Sequence, residues 1–243
     1  MIFIERVKCP AALEGRSAAG DHYNKPAVVH ALWDMQHGKC CYCERMLPEK
    51  GHLKAVDHFA PKAIFKGQRN EWANLLLSCS QCNGKKSDKF PVILSYEQNE
   101  DKVLYVEHKH AGEAAIIDPS CVDPEEHLEF DFSGQEWRDK WGTVRPRNGS
   151  ILGKETITTI GLDAPFYSRL SYDHYTKILR TYYTNLLQAL RDGNQLTIKG
   201  QKDAFELLMA PQTELAGFAR AYARMKRLEE DPINLEIPGG KKD

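Results

Sequence analysis

Two cysteine pairs, Cys40-Cys41-Tyr42-Cys43 and Cys79-Ser80-Gln81-Cys82, bracket the segments Val56-Asp57-His58-Phe59-Ala60-Pro61-Lys62 and Asn74-Leu75-Leu76-Leu77. The second pair runs on into Asn83-Gly84-Lys85-Lys86-Ser87-Asp88. A two-residue gap lets both thiolates of a turn face one ion, and two such turns supply the closed four-thiolate set that structural zinc prefers. One pair alone is weak, because redox dithiols share the spacing. Two pairs in one module select Cys40, Cys43, Cys79 and Cys82 as ligands of a structural Zn2+, with Cys41 left spare and no open position for catalysis. Between Cys43 and Cys79 lie 35 residues, against about 15–20 in a usual zinc ribbon. The ion is therefore expected to hold a mini-domain whose insert carries other chemistry.

Inside the insert, Leu75–Leu77 is an apolar run suited to a buried strand, and Val56–Phe59 is a segment that can pair with it. Asn83–Asp88 can open a short helix after the second pair. The expected unit is a ββα finger pinned at both ends by zinc. Asp57 and His58 are adjacent on a strand, so their side chains face opposite sides unless the strand bends. Phosphodiester hydrolysis needs a base that is neutral near physiological pH, for which histidine is suited. It also needs a hard cation to neutralise charge on the phosphate and leaving oxygen. Mg2+ takes one or two protein oxygens and fills its shell with water and phosphate. The Asp57 carboxylate and the Asn83 amide oxygen meet that need, so one catalytic Mg2+ or Mn2+ is expected, with His58 as base.

The order Asp-His, an Asn before an apolar strand, then C-x-x-C-N-x-K-K resembles the HNH (His-Me finger) endonucleases, and the Asn83–Pro91 stretch is similar to the end of the HNH domain in the RNA-guided CRISPR nuclease. The resemblance implies that His58 is the general base and Asp57 a metal ligand. It implies further that Asn74 orients the loop holding the histidine, that Asn83 is the second metal ligand, and that Lys86 contacts a phosphate, with Lys62 and Lys85 as further basic side chains for substrate. Asn83 stands where the family signature has a third histidine. The wider order of a helix, Gly38–Glu44, Val56–Lys62, Trp72–Leu75, Ile117-Asp118-Pro119 and a helical C-terminus resembles the PtuB-type HNH nucleases of Septu and retron-associated anti-phage defence systems. That resemblance implies a DNA-cutting effector working with an ABC-like ATPase subunit. This chain carries no G-x-x-x-x-G-K-[ST] phosphate loop of its own.

Composition agrees with a folded protein. The 243 residues are 42% hydrophobic and 28% charged, with a net charge of −1, near the averages for globular domains. The neutral balance hides an asymmetry: residues 39–91 hold ten Lys/Arg against five Asp/Glu, and residues 97–139 hold three against thirteen. A basic segment beside an acidic one suits a local phosphate-facing surface on an otherwise neutral protein. No apolar run approaches the roughly 18–20 residues of a membrane span, and a cytoplasmic location without a membrane partner is expected. Five of the seven cysteines fall between Cys40 and Cys82, which points to metal ligation in a reducing compartment rather than a disulfide framework.

The expected fold class is α+β. Its parts are an N-terminal segment and helix (1–38), the zinc-knuckle HNH module (39–95), an acidic β/loop segment (96–160), a helical region (161–237) and a disordered tail (238–243). Pro26–His37 reads as a helix with Val29, Leu32 and Trp33 on one face. Val103–Glu107 and Leu128–Phe132 read as strands. Asp163, with Pro165 behind it, reads as the cap of a helical layer striped by Tyr175, Ile178, Leu179, Tyr182, Leu186 and Leu190. Helices over 202–209 and from Leu215 to Met225 follow. Cys9 and Cys121 read as small core residues, Glu44, Glu71 and Asp88 as solvent or capping residues, and His108 and His110 as surface. Two alternatives keep the cysteines and change the function: a non-catalytic zinc-knuckle module that binds nucleic acid or protein, and an HNH nuclease acting on RNA.

Overall fold

The computed structural model describes residues 1–15, 19–49, 53–94, 104–107, 113–132, 142–163, 173–230 and 233–238. The chain divides into two compact units, residues 1–128 with 146–162, and residues 129–145 with 163–243. This partition differs from the linear boundaries expected above. Residues 146–162 return to the first unit because helix α3 (Ile151–Ile160) packs against the finger's own helix, and its Thr156 Oγ1 accepts the Ile117 N–H at 2.8 Å. The helix cap expected at Asp163 and Pro165, His108 and His110, and the tail beyond Pro238 lie outside the described residues.

In the first unit, α1 (Pro26–Met35) has proline in its first turn, where the missing N–H costs nothing. Its buried stripe is Val28, Leu32 and Met35, one position round from the expected face, with Val29 and Trp33 only half-buried. The chain then turns at Gly38, whose φ is +69°. A Cβ there would stand 2.8 Å from the Trp33 ring, so both backbone and space call for glycine.

Strand β1 (Lys54–His58) pairs antiparallel with β2 (Leu75–Cys79), from Lys54 opposite Cys79 to His58 opposite Leu75. Leu75, Leu76 and Leu77 are all fully buried. The continuous apolar run thus reflects a strand covered on both faces, by α1 and by α2 (Ser80–Lys86). Helix α2 starts earlier than expected. The Cys79 sulfur accepts the Cys82 N–H at 3.4 Å, so the second cysteine pair is itself the helix N-terminus.

Among the described residues this sheet has two strands, so β2 has a second edge to satisfy. The buried Gln36 side chain takes the place of a third strand. Its amide donates to the Leu77 carbonyl at 2.7 Å and its Oε1 accepts the Leu77 N–H at 2.7 Å. Gln36→Leu leaves that N–H buried without an acceptor, a loss of about 1–3 kcal/mol. A drop of that size in urea unfolding free energy is expected, and an unchanged midpoint would contradict this account of the edge.

Beyond the finger, β3 (Pro91–Leu94) is the centre of a three-stranded antiparallel sheet with β4 (Leu104–Glu107) on one side and β5 (Glu113–Ala114) on the other. Phe90, Val92, Ala60 and Ile116 form a small core there with Phe59 and Phe65. Cys9 is half-buried and Cys121 is exposed, so Cys121 is not a core residue. The turn after Asp118, whose carbonyl accepts the Cys121 N–H at 3.0 Å, brings that thiol to the surface.

The second unit is helical: α4 (Asp173–Asp192), α5 (Gln195–Met209) and α6 (Ala216–Met225). Helix α5 is longer than expected because Asn194 caps it, accepting the Thr197 N–H at 3.1 Å. Tyr175, Leu179 and Leu186 of the expected stripe are buried against Phe205, Met209, Phe218 and Tyr222, with Ile178, Tyr182 and Leu190 partly buried around them. Strand β6 (Leu128–Asp131) pairs with β7 (Thr143–Pro146), and Phe130 meets the Phe218 ring edge-on at 5.1 Å. Among the described residues no helix is long and apolar enough to cross a membrane.

Candidate active site

The Sγ atoms of Cys40, Cys43, Cys79 and Cys82 all lie within 4.8 Å of one another, and all four residues are buried. A tetrahedron with Zn–S bonds of about 2.3 Å has edges of about 3.8 Å, and Cys43 and Cys79 stand 3.9 Å apart. The set fits a zinc ion. Hydrogen bonds from Cys40, Cys43 and Cys82 hold the Cys79 thiol far down, and burial pushes Cys40 up. Cys41 is outside the cluster; burial raises its thiol to about 11, and its N–H donates to Leu77. That bond ties the first knuckle to β2.

Glu44 closes the first knuckle in a left-handed conformation, with φ of 59°. It is buried, not solvated as expected. Its carboxylate takes the Met1 amino group at 2.5 Å and the Lys39 ammonium at 3.6 Å. A buried carboxylate needs such partners to offset its lost hydration.

Asp57 and His58 leave β1 toward different partners. The Asp57 carboxylate accepts the Tyr42 hydroxyl on Oδ2 at 2.6 Å, and its Oδ1 lies 3.4 Å from the Lys86 ammonium. The imidazole of His58 packs edge-on against Tyr23, with ring centroids 4.5 Å apart, and its Nε2 lies 2.9 Å from the Arg69 carbonyl oxygen. A carbonyl only accepts, so Nε2 carries the proton and Nδ1 keeps the lone pair. Burial holds the His58 pKa below its ordinary value, against the opposing pull of the Arg69 carbonyl. The ring is therefore neutral at physiological pH.

Asn74 is buried just before β2, at the end of the short turn Trp72–Asn74. Its Oδ1 accepts the Ala60 N–H at 2.7 Å, and its Nδ2 donates to Ala60 at 3.0 Å and to Gln68 at 3.1 Å. These bonds cross the loop that leaves β1 just after His58. Asn83 sits half-buried on α2, three residues before Lys86 and so on the same helical face. Lys85 is exposed on that helix. Lys62 is half-buried, its ammonium 4.4 Å over the Tyr23 ring and hydrogen-bonded to the Tyr23 hydroxyl.

Lys86 does not stand where a phosphate contact would. Its side chain is 0% exposed, and the ammonium is held between Asp57 and the His58 carbonyl, which accepts it at 2.7 Å. Position on a short amphipathic helix puts this lysine on the inner face, where the Asp57 charge compensates it.

Several supporting residues carry no local sequence signal. Arg6 donates to the carbonyls of Trp72, Ala73 and Leu75, at 2.7, 2.7 and 3.1 Å, and so braces the turn that presents Asn74. Asn70 accepts the Tyr23 N–H at 3.1 Å and donates to Gly20 at 3.1 Å, while Arg69 pairs with Asp21 at 3.2 Å. The segment before α1 thereby fixes both the ring against His58 and the carbonyl that orients it.

Comparison with known proteins agrees with this geometry. Residues 40–89 match the HNH endonuclease family model. The chain is similar to a Septu protein PtuB of Bacillus thuringiensis, 36% identical over 106 residues that make up 38% of this chain and 41% of that protein. It is similar also to a Septu protein PtuB of Bacillus mycoides (strain KBAB4), 28% identical over 155 residues, 58% of this chain and 48% of that protein. A Septu protein PtuA of the same strain is 31% identical over 124 residues, 44% of this chain and 16% of the relative. The chain spans less than half the length of each of these relatives. With four cysteines set for one ion and a ββα hairpin between them, residues 40–89 have the arrangement of the HNH endonuclease model they match, within a chain similar over part of its length to Septu PtuB proteins.

Proposed function

We propose that the chain is a metal-dependent endonuclease that hydrolyses DNA phosphodiester bonds, with His58 as general base, as the nuclease effector of an anti-phage defence system. The observation that carries this reading is the bond between His58 Nε2 and the Arg69 carbonyl. It fixes the tautomer, aims the ring, and makes Nδ1 the acceptor for a water proton. Asn74 shapes the loop behind the histidine. Asp57 and Asn83 are the donors for Mg2+ or Mn2+. Their carboxylate and amide oxygens are the hard ligands such a cation takes, and a cation bound there would displace the Lys86 ammonium from Asp57 Oδ1. Bound there, the cation would neutralise charge on the scissile phosphate and leaving oxygen. Lys85 and Lys62 are the basic side chains for the phosphate backbone, in place of the buried Lys86. An ABC-like ATPase subunit as working partner follows from the likeness to Septu PtuB, and the similarity to a protein named PtuA supports it.

The test is the pH dependence of plasmid cleavage. Because burial lowers the His58 pKa, the neutral base persists as pH falls, and activity is lost only on titrating through a value below 6.5. The acid limb of kcat/KM is expected to have its midpoint below 6.5; a midpoint at or above it would count against His58 as the base. Parallel assays on duplex DNA and tRNA read the substrate, and faster cleavage of tRNA would replace DNA by RNA in the proposal.

A further inference from the structure

Two side chains of the finger meet on one ring from outside it. Tyr23, buried ahead of α1, has the His58 imidazole perpendicular to it with ring centroids 4.5 Å apart. The Lys62 ammonium lies 4.4 Å over the same ring and donates to its hydroxyl. Tyr23 is itself anchored: its main-chain N–H donates to Asn70 Oδ1 at 3.1 Å, next in sequence to the Arg69 carbonyl that takes His58 Nε2. The buried lysines of this unit differ from Lys62 in one respect. Lys86 and Lys39 have their charge cancelled by the carboxylates of Asp57 and Glu44. Lys62 is held instead by a neutral hydroxyl and a ring face, which orient an ammonium without cancelling its charge. Of three N–H donors the hydroxyl takes one, and the side chain is only half-buried, so donors remain for an anion at the surface.

We propose that Tyr23 is a positioning residue for substrate, its hydroxyl holding the Lys62 ammonium beside His58 so that a DNA phosphate gripped by the lysine is brought to the base. The inference rests on the reading of His58 as general base and of Lys62 as a phosphate contact, and it asks nothing of the metal ligands. It also extends the working site beyond residues 40–89, since Tyr23 precedes the family-matched span.

The experiment compares the full chain as parent, Tyr23→Phe, Lys62→Met and the double variant, at equal zinc content. Binding to a labelled DNA duplex is read by fluorescence anisotropy at several salt concentrations without added Mg2+, and cleavage kinetics are read with Mg2+. Tyr23→Phe keeps the ring against His58 and removes only the hydroxyl. Its Kd and KM are expected to rise about 2–10-fold, the net worth of one hydrogen bond, with a smaller change in kcat. Lys62→Met should raise them at least as much and lower the slope of log K against log salt by about 0.9, the loss of one phosphate contact. In the Lys62→Met background Tyr23→Phe should add nothing, because the hydroxyl acts through the ammonium. If Tyr23→Phe weakens binding by the same factor with and without Lys62, the hydroxyl serves the fold and the inference is overturned. If Tyr23→Phe binds like parent while Lys62→Met does not, Lys62 stands as a contact and the role of Tyr23 is refuted. If Lys62→Met itself binds like parent with an unchanged salt slope, the phosphate reading of Lys62 is wrong and the inference falls with it.

Discussion

His58→Ala is expected to lower Mg2+- or Mn2+-dependent cleavage of plasmid DNA by about 10²–10⁴-fold, the usual contribution of a positioned general base. The size follows from how fully the ring is committed. Its Nε2 is bound to the Arg69 carbonyl, its face is set by Tyr23, and burial keeps it neutral. No other described imidazole has this combination of a carbonyl partner and a place on β1. The variant loses the ring contact with Tyr23, but the cysteine cluster is untouched, so zinc content and the folded signal should survive. The assay uses the chain alone and together with the ATPase subunit proposed as its partner, at equal zinc content for parent and variant. Equal cleavage by both proteins would remove the catalytic assignment and favour a zinc-knuckle binding module. Partial rescue of His58→Ala by added imidazole would strengthen it.

Cys79→Ser is expected to have the largest effect on stability. Apparent binding free energies of structural zinc in small modules are about 10–16 kcal/mol, and that energy is folding energy. Cys79 has two duties, as one corner of the sulfur cluster and as N-cap of α2. Serine is a good N-cap, so the substitution preserves the second duty and isolates the first. Zinc content should fall from about one ion per chain to a small fraction, and the finger should lose its cooperative unfolding transition. Treating the parent protein with a strong chelator should reproduce the change. A variant that remains folded without metal would show that the hairpin and its leucines suffice, and that the cysteines are not a zinc site.

Much of the finger is legible in the sequence because its determinants are local. Cysteine spacing identifies the four sulfurs, and the run Leu75–Leu77 identifies a buried strand. The parts that escape a reading of the sequence depend on contacts between distant segments. Lys86 is the clearest case. A lysine beside other lysines reads as solvent-facing, and only the docking of α2 on β1 turns it onto Asp57. Glu44 reads as a surface acid for the same reason, although the turn carries it inward to Lys39. The start of α2 reads too late because a cysteine is an uncommon helix cap. The expected segment 96–160 is shared between the two units, because α3 within it packs on α2 of the finger while residues 129–145 group with the second unit. Arg6, Tyr23 and Gln36 lie upstream of every motif, so no spacing rule attaches them to the site.

The side chain of Gln36 occupying the outer margin of β2 has a practical corollary for dissecting the protein. A fragment cut to the family-matched span 40–89 omits Gln36, and with it Arg6 and Tyr23. Such a piece retains all four sulfurs and the Cys41 N–H on the Leu77 carbonyl, yet it strips the Leu77 N–H of Gln36 and the Leu75 carbonyl of Arg6, opening part of a strand edge of the kind on which strands from other molecules pair. The residues that precede the finger thus complete its strand edge, and a fragment starting at residue 40 is expected to aggregate more readily than the longer chain.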